Sequence, residues 1–223
     1  MSNQFLGEDD LVLNTASRIP VCLCLDVSSS MMGCIGELNS GVNEFYRAVR
    51  SNEAARQSCE IAVVTFGSDV KVVEDYSSVD TKEPAAMQAY GGTAMTEGTE
   101  KALEILEKRK EQYKQNGIDY YQPWLVIMSD GEPNNPATLK KVQEKIRQLE
   151  ADRKLVVFAI GIGSGVNMDI MDNFSKRKAK KLKGYKFEDF FEWLGKSVSI
   201  VSQSQVGEKV KLDTSGMDDW AEI

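Results

Sequence analysis

Ile19-Pro20-Val21-Cys22-Leu23-Cys24-Leu25-Asp26-Val27-Ser28-Ser29-Ser30 is the stretch on which the fold turns. Its first seven residues form an apolar run too short for an ordinary helix, and the run stops at a carboxylate followed by hydroxyls. Such a run, bounded by polar residues, is the pattern of a strand buried on both faces, as in a parallel sheet. Ser28 and Ser30 lie two apart, so in an extended loop both hydroxyls face the same side.

Downstream, Ile35, Leu38, Val42, Phe45 and Val49 recur at steps of three and four, which is one face of a helix of roughly four turns. Residues 61–66 form a second buried run. The turn Gly67-Ser68-Asp69 then leads to a short returning strand over 70–73, expected antiparallel at an edge. Residues 77–90 show no period and read as a loop with a short helical piece. Gly91-Gly92-Thr93 opens a helix to about residue 114, with Met95, Ala102, Leu103 and Leu106 inward. A strand over 124–128 stops at Ser129-Asp130-Gly131. Asn135-Pro136 supplies an N-cap and a first helical proline, and Leu139, Val142, Ile146 and Leu149 form the stripe that follows. A strand over 155–160 exits through Gly161-Ile162-Gly163. A short helix at 169–174, a last strand at 184–187 and a helix over 188–201 complete the pattern. The chain divides into an N-terminal extension (1–14), one domain (15–204) and an acidic C-terminal tail (205–223) in which Trp220 is a docking anchor.

Alternating strands and helices define the fold class as α/β: a single doubly wound, mostly parallel sheet with one antiparallel edge strand and helices on both faces. In the Rossmann-like strand order 3-2-1-4-5-6, the ligand crevice lies between the carboxyl ends of strands 1 and 4. Asp26 ends strand 1, Asp130 follows strand 4, and Thr93 opens the helix before strand 4. The fold therefore brings Asp26, Ser28, Ser30, Thr93 and Asp130 together as two carboxylates and three hydroxyls. All are hard oxygen donors, the set that suits Mg²⁺ or Mn²⁺. An ion left incompletely ligated by these donors attracts an external carboxylate, so the expected function is metal-dependent capture of a partner's Glu or Asp.

Composition narrows the alternatives. The 223 residues carry a net charge of -7, which disfavours nucleic-acid binding, since phosphate contacts need a basic surface. No apolar run approaches the ~18 residues of a membrane span. The start of the chain is polar and acidic, without the basic opening of a secretory signal, and the expected location is the cytoplasm. The count of zero histidines excludes Ser-His-Asp, Cys-His and His-based zinc chemistry. Cys22 and Cys24 lie on one face of the first strand and read as reduced core residues, without a second cysteine pair to make a zinc site.

Taken together, Asp26-Val27-Ser28-Ser29-Ser30-Met31-Met32-Gly33, Val64-Thr65-Phe66-Gly67-Ser68, Gly91-Gly92-Thr93, Tyr120-Tyr121-Gln122-Pro123-Trp124, Ser129-Asp130-Gly131-Glu132-Pro133 and Phe158-Ala159-Ile160-Gly161-Ile162-Gly163 resemble a known family. The chain is similar to von Willebrand factor A (VWA) domains with a metal-ion-dependent adhesion site (MIDAS), and within them to the bacterial TerY/YegL type, over roughly residues 15–210. That resemblance implies metal ligation by Asp26, Ser28, Ser30, Thr93 and Asp130. It also implies a cytoplasmic protein of tellurium-resistance, stress or phage-defence gene neighbourhoods, with a kinase or PP2C-type phosphatase as partner. Ser29 departs from the glycine usual in that subgroup.

Three weaker signals have rival readings. Gly161-Ile162-Gly163-Ser164-Gly165 is spaced GxGxG and not GxGxxG, so it reads as a strand exit and not a dinucleotide loop. Lys176, Arg177, Lys178, Lys180, Lys181, Lys183 and Lys186 form a basic stretch, either solvated or docked to an acidic partner or to the chain's own tail. Asp26 after the first strand also fits a phosphotransfer nucleophile, but that chemistry wants a second Asp where this chain has Ser28. The expectation is therefore a binding module and not an enzyme.

Overall fold

A computed structural model describes residues 14–80 and 83–222. The N-terminal extension falls outside them except for Asn14. β1 (Ile19–Asp26) and β2 (Cys59–Phe66) are buried along their whole lengths. They pair in parallel, and β1 pairs in parallel with β4 (Trp124–Ser129) on its other side. β5 (Val156–Gly161) and β6 (Lys180–Leu182) continue the parallel run, while β3 (Val70–Ser78) closes one edge antiparallel. β7 (Ala221–Glu222) closes the other edge antiparallel, giving a seven-stranded sheet in the order β3-β2-β1-β4-β5-β6-β7. This is the doubly wound, mostly parallel α/β sheet expected, with a second antiparallel edge added.

Side-chain alternation along the buried strands builds two cores. Val21, Leu23, Leu25, Ile61 and Val63 face α1 (Ile35–Arg50) and α6 (Phe187–Ser202). Cys22, Cys24, Ala62 and Val64 face α3 (Met95–Gln115) and α4 (Pro136–Ala151) on the opposite side. All four cysteines are free and buried. α1 and α6 touch through glycines: a Cβ on Gly41 would stand 2.7 Å from the Phe187 Cβ, and one on Gly195 would stand 2.5 Å from the Ala48 Cβ.

Several boundaries differ from the sequence expectation for local reasons. α2 (Glu53–Ser58) was not foreseen; it has no apolar period, but the Asn52 side chain caps it by accepting from Ala55 N–H. Residues 83–90 contain no helix. The last parallel strand is Lys180–Leu182, earlier than expected, because Lys180 and Lys181 stay partly exposed at the edge and only Leu182 is buried. Gly184, at φ 53°, belongs to the turn into α6.

Residues 205–222 fold back on the domain through α7 (Met217–Trp220) and β7. Trp220 is buried, with ring centroids 4.9 Å from Phe190 and 5.4 Å from Trp193. Trp193 Nε1 donates to the Asp213 carbonyl at 2.7 Å, and Lys181 pairs with Glu222 at 2.9 Å. Trp220 therefore anchors this segment to its own domain, and part of the basic stretch is used to hold it.

Candidate metal centre

β1 and β4 are central neighbours, and their carboxyl ends deliver Asp26 and Ser129 side by side. Asp26 is fully buried. Its Oδ1 accepts the Ser28 N–H at 2.8 Å, which bends the chain back over the strand end, and its Oδ2 accepts the Ser129 hydroxyl. Ser28 starts a 3-10 turn over Ser29–Gly33, and that turn lifts Ser30 to the same side. The two hydroxyls lie 2.9 Å apart, and Ser30 Oγ donates to Asp130 Oδ1 at 2.7 Å.

The loop before α3 closes the far side. Gly91 has φ 73° and lies against Ser68, where any Cβ would overlap the hydroxyl, so only glycine fits. Tyr90 N–H donates to the Val27 carbonyl at 2.7 Å and Ser29 N–H to the Gly91 carbonyl at 3.0 Å, tying this loop to the loop after β1. Thr93 is buried, and its hydroxyl sits 3.7 Å from where a Gly131 Cβ would stand, with Ser30 Oγ 4.0 Å from the same point. The loops carrying Thr93, Ser30 and Asp130 therefore meet, and all five residues singled out from the sequence come together.

Two further residues build the site and were missed in the sequence. Ser129 accepts the Gly131 N–H at 3.2 Å while donating to Asp26. Its signal was a serine closing an otherwise apolar strand beside the one that ends in Asp26. Asn134 Oδ1 accepts the Thr93 N–H at 3.1 Å, and Asn134 N–H donates to the Thr93 carbonyl at 3.0 Å. No sequence spacing could have paired residues 93 and 134.

The electrostatics are those of a centre short of positive charge. Burial pushes the Asp26 carboxyl up to about 6; the Ser129 and Ser28 bonds pull it down, and the charge of Asp130 pushes it up again. Among the described residues no Lys or Arg pairs with Asp26 or Asp130. No three His, Cys, Asp or Glu side chains gather as a metal cluster among those residues either, so hydroxyls must supply the remaining donors. Two carboxylates and three hydroxyls, of which Ser28, Ser30 and Asp130 are joined by hydrogen bonds, fit a hard divalent ion. The glycines at 161–165 form a strand exit, with Gly163 at φ 75° and Gly161 packed against Val166 and against Met168 at the start of α5 (Met168–Asp172).

Fold and site define a doubly wound α/β domain whose crevice is lined by oxygen donors and not by a nucleotide loop. Residues 21–198 match the von Willebrand factor type A domain, and the chain belongs to that family. Among solved structures, proximal thread matrix protein 1 from the mussel byssus is similar at 22% identity and TM-score 0.57, over 84% of this chain and 48% of that one. The chain thus spans about half the length of the mussel protein. The von Willebrand domain of the type V pilus tip protein Mfa5 from Porphyromonas gingivalis matches at 11% identity and TM-score 0.65, over 87% and 99% of the two chains. Manganese-loaded TRAP protein from Plasmodium vivax matches at 19% identity and TM-score 0.56, over 76% and 70%. A form of the mussel protein is described with a zinc-occupied MIDAS motif. No curated protein sequence matches the chain. No helix among the described residues is long and apolar enough to cross a membrane.

Proposed function

We propose that this protein is a divalent-cation-dependent protein-interaction module. The observation that carries the reading is the buried Asp26 carboxylate, held by the Ser129 hydroxyl and the Ser28 amide and linked through Ser28 and Ser30 to Asp130. Asp26, Ser28, Ser30, Thr93 and Asp130 hold Mg²⁺ or Mn²⁺, and the ion supplies an electrophilic position for a partner's Glu or Asp. The manganese and zinc forms of its structural neighbours support a divalent metal.

The protein is not an enzyme in this reading. A phosphotransfer role for Asp26 is disfavoured because both carboxylate oxygens accept hydrogen bonds and Ser28, where a second acid is needed, is engaged with Ser30. The TerY/YegL-like segments support a cytoplasmic role in a bacterial stress, tellurium-resistance or phage-defence system, with a kinase or PP2C-type phosphatase as partner.

Calorimetric titration with MgCl₂ and MnCl₂ tests the metal. Wild type is expected to give binding heat and a raised melting temperature, and Ser30→Ala and Thr93→Ala to lose both while staying folded. Affinity capture in Mg²⁺ against EDTA tests the partner. Identical capture in the two buffers by wild type and variants would refute the module.

A further inference from the structure

The connections around the candidate metal centre share a compositional property. Residues 27–37, 67–69, 90–96, 130–138 and 162–167 contain neither Lys nor Arg, in a chain that has 27 of them. They do contain Glu37, Asp69 and Glu132 besides Asp130. Glu37 lies in the first turn of α1, and its charge acts with those of Asp130 and Asp26 on the Cys34 thiol. Glu132 accepts from Asn167 Nδ2 at 3.0 Å, between the loops after β4 and β5. Asp69 accepts from the Tyr90 hydroxyl and is matched by Lys71 at 3.5 Å, on the β3 edge. Lys183 and Lys186 follow β6, two strands away from β4. Glu37 and Glu132 are exposed on the connections around the centre, and among the described residues neither has a basic partner.

An apolar feature lies beside these charges. Met32, in the turn that carries Ser30, is 67% exposed, while its neighbour Met31 is fully buried. Among the described residues it is the most exposed large apolar side chain. Methionine on a surface is an adaptable contact for another apolar group.

A divalent ion is matched in charge by Asp26 and Asp130. A partner carboxylate arriving at such an ion would approach the connections that carry Glu37 and Glu132, and like charges there suppress binding unless the partner brings cations with it. Resting on the metal-centre reading above, we propose that the site selects a partner segment of defined chemistry. The segment has one carboxylate flanked by Lys or Arg, next to an apolar side chain that covers Met32. The metal supplies the anchor, and the acidic rim and Met32 choose among the acids that reach it.

Fluorescein-labelled peptides differing only in their flanks test this: Lys-Leu-Glu-Lys, Ser-Leu-Glu-Ser, Glu-Leu-Glu-Glu, and Lys-Leu-Gln-Lys as a control without the acid. Each is titrated with the full chain by anisotropy, in MnCl₂ and in EDTA. The Lys-flanked acid is expected to bind about tenfold tighter than the Ser-flanked one in Mn²⁺, and the Glu-flanked one weakest. EDTA or the Gln control should abolish the binding, and added salt should shrink the differences. Glu37→Lys with Glu132→Lys, which touches none of the five metal residues, should reverse the order. Met32→Ser should weaken the Leu-bearing peptides by about threefold or more. Equal affinity for all three acids, no binding of any, or a Lys preference that survives EDTA undiminished would overturn the proposal. Manganese titration of the peptide-free protein separates the two failures. Metal heat with flank-blind binding sinks the selectivity alone, whereas no metal heat sinks the metal centre as well.

Discussion

Glu60 and Asp26 are carboxylates buried at opposite ends of neighbouring strands. Pro20 pairs with Glu60 and Asp26 with Phe66, so the two acids lie about 20 Å apart along the strand direction. Glu60 receives Arg18 Nε at 3.2 Å, Arg109 Nε at 2.7 Å and the Tyr113 hydroxyl. Asp26 receives an amide and a hydroxyl. Burial penalises both charges, but the chain supplies cations to one and only neutral dipoles to the other. At the amino end of the sheet the charge is closed within the fold, and that end works for stability. At the carboxyl end only an amide and a hydroxyl meet the charge, which is the basis for the binding role proposed for that end.

The largest effect should come from breaking the closed end. Glu60→Ala leaves two buried guanidiniums without their shared carboxylate, and a loss of about 3–5 kcal/mol is expected in urea unfolding, the same in EDTA as in Mg²⁺. A metal-dependent loss at Glu60 would break the separation of the two ends.

Asp26→Asn should do the opposite. It keeps the side-chain shape and removes a buried charge that has no cation, so stability in EDTA is expected to be unchanged or about 1 kcal/mol higher. The rise in melting temperature on adding Mg²⁺ or Mn²⁺ should disappear. A clear destabilisation of Asp26→Asn in EDTA would mean that the carboxylate is already paid for by the fold, and that the contrast with Glu60 is false.

The two ends were unequally legible in the sequence. Asp26, Ser28, Ser30, Thr93 and Asp130 could be read because each sits at a strand end or helix start, where an apolar run stops and hydroxyls or glycines follow. The order of those runs then placed them at one crevice. Glu60 and Arg109 could not be read, because a charged residue in a strand or on a helix looks solvated until tertiary packing buries it. The edge at β6 and β7 was hidden for a similar reason: Lys180 and Lys181 belong to a basic run, and Glu222 to an acidic one. Only their pairing across the sheet edge turns both into strands.

The smallest effect sharpens the comparison most, because it separates holding a proposed metal ligand from being one. Asn134 makes a two-way bridge to the Thr93 backbone, with its side-chain oxygen taking the N–H and its own N–H reaching the carbonyl. Its amide lies over Gly92, 3.2 Å from where a Cβ would stand, so the Thr93 loop is clamped to the Asp130 loop. Asn134 is exposed, so Asn134→Ala should change unfolding in EDTA by less than about 1 kcal/mol. Metal affinity should nevertheless fall about tenfold, as for other residues that orient ligands without touching the ion. Asn134→Asp keeps the acceptor for the Thr93 N–H and should recover most of that loss. In a Thr93→Ala background the Asn134→Ala change should cost nothing more, since no threonine hydroxyl is left to position. Additive losses in the double variant would show that Asn134 acts on the ion by another route, and that the open end is not assembled through Thr93.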